Sequence, residues 1–150
     1  MERDKPKPNV AYWHLYVDED GISHQVECAM TDFELAAIQP GAAPQWQGRK
    51  HHDGMTVMVT VLPVGWVGAW HENPAPQWII PLSGTWSVEA MDGIRREFGP
   101  GDISFGEDQG CEEVEGRKGH RSTTVGDLPA TLMIVQFDTS RDKTTPCRFG

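Results

Sequence analysis

The stretch GWVGAWHENPAPQWIIPLSG, Gly65 to Gly84, decides the fold. Its punctuation reads Gly65, five residues, His71, one residue, Asn73, three residues, Gln77, six residues, Gly84. In an extended chain successive side chains alternate between faces, so His71 and Asn73 project to the same side. The turn residues Pro74-Ala75-Pro76 then let Gln77 open the following strand toward that same space. With His71 inward, Val67 and Ala69 share its face and Trp66 and Trp70 point outward. On the next strand Ile79 goes inward and Trp78 outward, while Trp86 fits either face.

Working outward, the flanking runs are short and rich in β-branched and aromatic residues: VAYWHLYV, ISHQVE, TVMVTVLP, WVGAWH, QWIIPL, TWSVEAM, IRREF, DISF and TLMIVQF. Such runs, separated by many of the 16 Gly and 11 Pro, read as strands. Two hairpin turns are explicit, DEDG at 18–21 and Asp92-Gly93 in MDGIRREF. No sustained helical stripe is present, although MTDFELAAI allows one or two helical turns. An all-β sandwich or barrel follows. The 150 residues suit one domain with a core that needs no metal or disulfide staple. The connection from Gln39 to Gly54 is long for a compact domain and carries Trp46, His51 and His52. It reads as a lid over a pocket or as a solvated excursion.

The glycine-to-glycine spacing resembles the first motif of the cupin superfamily, in which a glycine, five residues, His-x-His, three or four residues, Glu, six residues and a second glycine follow in order. Asn73 stands where that motif has its second His, and Gln77 where it has Glu. GPGDISF supplies the start of a second cupin motif at Gly101 and Asp102, and a longer insertion, GEDQGCEEVEGRKGH, delays its histidine to His120. The resemblance implies a jelly-roll β-barrel of short antiparallel strands spanning residues 1–150 as one domain. Its barrel core runs over about 55–138, with N-terminal strands within 10–38.

If the motif residues converge, His71, His120, Gln77 and Asn73 form a neutral ligand set for one divalent transition metal: Mn, Fe, Co, Ni or Zn. Without a carboxylate, such a site suits Lewis-acid work better than oxygen activation. The competing reading is a metal-free barrel in which these groups hydrogen-bond to one another or to an organic ligand. His71 and His120 are the first catalytic candidates. Glu107, Asp108 and His52 are further candidates for proton transfer, since a carboxylate at the mouth of an apolar barrel titrates abnormally. Asn73, Trp46, His51 and Ile79 are the candidate substrate contacts, and His14 and His24 receive no catalytic role. The leading function is a metal-assisted lyase or isomerase acting on a small oxygen-containing molecule. The alternatives are a non-haem dioxygenase and a non-catalytic small-ligand-binding protein.

The net charge of -9, with no basic cluster longer than Arg49-Lys50 or Arg117-Lys118, argues against nucleic acid and anionic membrane as partners. MERDKPKPNV lacks the apolar core of a signal peptide. Cys28, Cys111 and Cys147 are odd in number and widely spaced, which reads as free thiols in a reducing, cytoplasmic setting. Outward tryptophans are best removed from water by a second copy, so a homodimer is expected. Terminal strands folded over that face are the rival explanation.

Overall fold

A computed structural model describes residues 6–37, 40–41, 44–48, 54–137 and 146–149. Eleven strands follow in chain order: β1 (Val10–Val17), β2 (Ser23–Met30), β3 (Glu34–Ala37), β4 (Pro44–Gln47), β5 (Met55–Leu62), β6 (Gln77–Ser83), β7 (Thr85–Ala90), β8 (Arg95–Phe98), β9 (Ser104–Gly106), β10 (His120–Val125) and β11 (Ala130–Phe137). A six-stranded sheet runs β2-β1-β9-β6-β11-β5 and faces a three-stranded sheet, β10-β7-β8. A separate hairpin joins β3 to β4. The all-β expectation holds, and the pairing is antiparallel except where β1 runs parallel to β9, Trp13 beside Ser104 and Leu15 beside Gly106.

Both turns anticipated in the sequence close hairpins. At the first, Gly21 takes a positive φ of 80° and Asp18 Oδ1 accepts from the Asp20 and Ile22 amides. At the second, Gly93 has φ 85° and Asp92 Oδ1 accepts from the Ile94 amide. His24 ties the two turns together, Nε2 against Asp18 at 2.6 Å and Nδ1 against Asp92 at 2.8 Å.

Two apolar clusters lie on opposite faces of the large sheet. Between the sheets, Leu15, Ile79, Ala130 and Leu132 meet Trp86, Val88, Ala90 and Phe98. On the outer face, Tyr12, Cys28, Trp78, Phe105 and Phe137 pack under the C-terminal residues Cys147 and Phe149. Alternation along β6 explains both clusters, Ile79 inward and Trp78 outward as read from the sequence.

Several expectations require correction. The described part of MTDFELAAI, residues 30–37, forms no helical turn; its Glu34–Ala37 segment is a strand because β4 supplies a partner. The Gln39–Gly54 connection is accordingly broken by β4. WVGAWH is not a regular strand and touches β10 only at two isolated bridges, Val67 with Thr123 and His71 with His120. Alternation persists there with the opposite parity to the one expected: Val67 is 63% exposed and Ala69 and His71 are exposed, whereas Trp66 turns toward the interior. Finally, Cys28 and Cys147 form a disulfide between β2 and the C-terminal segment, where free thiols were expected. Cys111 keeps its thiol, which donates to the Asp108 carbonyl. Among the described residues no helix is long and apolar enough to cross a membrane.

Candidate functional site

A cavity of about 120 Å³ opens between the two sheets. His71, Asn73, Gln77 and His120 share one end of it, as the spacing anticipates, and Ile79 lines its wall. The two histidine rings lie with centroids 4.7 Å apart, and their backbones exchange hydrogen bonds, His71 N to His120 O at 3.0 Å and His120 N to His71 O at 2.9 Å. Glycine makes this approach feasible. A Cβ on Gly119 would strike the His71 carbonyl, and one on Gly106 would strike the Asn73 amide. Gly119 also has φ 83°, which L side chains rarely adopt.

Each imidazole is anchored through Nδ1. That of His120 donates to Asp108 Oδ2 at 2.7 Å, and that of His71 donates to the Ala69 carbonyl at 2.8 Å. A carbonyl and an ionised carboxylate can only accept, so in the neutral rings the proton sits on Nδ1 and Nε2 is bare. No hydrogen bond among the described residues engages either Nε2, and both rings line the cavity.

Asp108 organises the rest. Its Oδ1 accepts from both the backbone N and Nδ2 of Asn73, each at 2.8 Å. Asn73 Oδ1 must then face away, and it accepts from Gln77 Nε2 at 2.6 Å. Gln77 Oε1 in turn accepts from Gln136 Nε2 at 3.0 Å. The carboxylate thereby sets the orientation of every amide in the chain, because it has no proton to give. Burial alone would push the Asp108 carboxyl up, but the charge that His120 carries once protonated and the hydrogen bonds from His120 and Asn73 outweigh it and hold it below its ordinary value.

Other sequence candidates sit elsewhere. Alternation after β9 sends Asp108 inward and Glu107 to the opposite face. There Glu107 is buried against His14 Nε2 at 3.2 Å and Arg148 at 2.9 Å, remote from the cavity. The Cys147 amide donates to His14 Nδ1, which places that ring's proton on Nε2, toward Glu107. Trp46 belongs to β4, beside Leu35, and does not line the cavity. His51 and His52 lie outside the described residues. Trp66 and Trp86 line the cavity, although strand parity sent the first outward. Gln136 went unrecognised, since a single Gln in an apolar strand carries no signal of its partner.

The divalent cation implied by the cupin resemblance meets a donor set that fits poorly. The oxygens of Asn73 and Gln77 already accept amide hydrogen bonds, and Asp108 is spent on His120 and Asn73. Two imidazole nitrogens are uncommitted where four ligands were expected, and each amide oxygen keeps a single lone pair. Among the described residues no group of three or more His, Cys, Asp or Glu converges on one point.

No protein-family model matches the chain, and neither does any curated protein sequence. Among solved structures it is similar to the cupin domain of Schizosaccharomyces pombe Cnp3, at 10% identity and TM-score 0.41, over 92% of this chain and 89% of that one. The fold is all-β, with a six-stranded and a three-stranded sheet facing each other. The Gly65–Gly84 stretch supplies His71, Asn73 and Gln77 to the cavity between them, and β10 supplies His120.

Proposed function

We propose that the cavity is the active site of a small-molecule enzyme that moves a proton on its substrate, in a lyase- or isomerase-type reaction. The carrying observation is the Asp108–His120 pair, 2.7 Å apart and buried, with His120 Nε2 left to the cavity. In this arrangement Nε2 takes a proton from a hydroxyl or from a carbon beside a carbonyl. The imidazolium that forms is stabilised by Asp108, which also fixes the tautomer that makes Nε2 basic. His71 Nε2 accepts a hydrogen bond from the substrate, or donates one once protonated. Asn73 donates to Asp108 and favours its ionised form, and Gln77 and Gln136 hold Asn73 in place without touching the proton in flight. Proton transfer of this kind is supported by the donors present more directly than the metal-assisted or dioxygenase readings, which need further ligands.

The test is deuterium incorporation from D2O into a panel of small carbonyl and hydroxyl compounds, with protein stripped of metal by chelation. Wild type is expected to exchange at least one compound, and His120→Ala to slow that exchange by about 10²- to 10⁴-fold. Exchange that disappears on chelation and returns with one metal would restore the metal-assisted reading. No exchange at all, with the fold intact, would leave a non-catalytic ligand-binding protein.

A further inference from the structure

Among the described residues, and with the imidazoles neutral, none that lines the cavity is acidic or basic. Of the described residues, the nearest charge is negative, the Asp108 carboxylate, fully buried behind His120. The cations nearby in sequence are committed elsewhere. Arg121 pairs with Glu89, Lys118 with Glu72 and Arg117 with Glu115, and both arginines also lie over the Trp70 ring. An entering carboxylate or phosphate would lose its hydration, find no counter-ion among the described residues and approach a fixed negative charge.

Size and polarity narrow the class further. About 120 Å³ is somewhat less than the roughly 150 Å³ apolar cavity that accommodates benzene, so room exists for about five or six heavy atoms. The polar end is His71 and His120. Thr60 and Ser122 add hydroxyls on opposite sheets, while Trp66 and Ile134 offer apolar surface.

We infer that the site selects a small neutral molecule, with a hydroxyl or carbonyl head against the two imidazoles and a short apolar body, and that it rejects anions of the same shape. This rests on the proton-transfer reading above for the identity of the site, but its test requires no turnover. Acetoin and lactate are near-isosteres, a methyl on the carbonyl of one replaced by a carboxylate oxygen in the other. Binding is read at neutral pH, on chelated protein, from the indole resonances of Trp66 and Trp86 and the ring resonances of His120.

Acetoin is expected to shift these signals saturably and to bind at least about tenfold more tightly than lactate. Ile134→Trp, which fills the cavity, is expected to abolish the shifts. Thr60→Lys, which places a cation in the wall, is expected to reverse the preference. Equal or tighter binding of lactate by wild type would overturn the inference, as would shifts that survive Ile134→Trp. Failure of both compounds to bind would also overturn the substrate class. None of these outcomes bears on deuterium exchange, so the two readings fail separately.

Discussion

At the scale of single residues, Glu107 and Asp108 are neighbours with opposite fates. Both are buried, yet Asp108 backs His120 at the end of the cavity and Glu107 faces His14 and Arg148. Asp108→Asn retains shape and tests the pair sharply. Its Oδ1 position must still accept two Asn73 N–H groups, so the new NH2 falls opposite His120 Nδ1 and drives that ring to the other tautomer. A loss of about 10²- to 10⁴-fold in proton exchange is expected with the fold retained. Glu107→Gln should leave exchange within a few-fold while lowering stability in denaturant titration, because Arg148 then loses its charged partner. Equal effects of the two substitutions on exchange would count against the assignment.

The pH dependence follows from the same carboxylate. Its folded pKa lies below the ordinary value of 3.8, so the stability it contributes is present above that value and is lost as pH falls through the folded pKa. Acid unfolding of Asp108→Asn should accordingly lack this component. Asp108 was legible in the sequence only as one of two candidate carboxylates. Which one faces inward depends on register, which β9 fixes by pairing with both β1 and β6.

At the scale of elements, the strands with strong alternation and explicit turns were legible: β1, β6, β7 and β11 fall where their apolar patterns lie. The failures share a physical cause. WVGAWH has strand composition and alternates, but with only two bridges to β10 no continuous ladder fixes which parity faces inward, and Trp66 takes that side while Val67 is exposed. Conversely β10, HRSTTV, reads as polar because its inward residues are His120, Ser122 and Thr124. A strand that lines a site presents polar groups inward, which hides it from a hydrophobic pattern.

The C-terminal segment was likewise unreadable as structure. The Cys28–Cys147 bond, closing a separation of 119 residues, holds Phe149 against Tyr12, Trp78 and Phe105. Reduction, or Cys147→Ser, is expected to lower unfolding free energy by about 4 kcal/mol, measured by urea denaturation with and without reductant. An unchanged midpoint would show that the apolar contacts hold the segment unaided.

At the scale of the whole molecule, the tryptophans that suggested a dimer have partners within the chain. Trp78 lies under Phe149, Trp66 and Trp86 line the cavity, and Trp70 is covered by arginines. Outward apolar surface instead collects on β5, where Met55, Val57 and Val59 are each 59% exposed. The acidic character of the chain and the lining of the cavity are complementary features: surface carboxylates repel anions at long range, and the described lining residues offer them no fixed cation.

The central claim is that both imidazoles present a bare Nε2 to the cavity, held so by Asp108 and the Ala69 carbonyl. Long-range 1H–15N spectra of the histidine rings, recorded above neutral pH on the protein as purified and again after chelation, test it most directly. A protonated Nδ1 and an unprotonated Nε2 are expected for His71 and His120 in both samples. A protonated Nε2 on His120, or a metal-shifted Nε2 that chelation reverses, would contradict it.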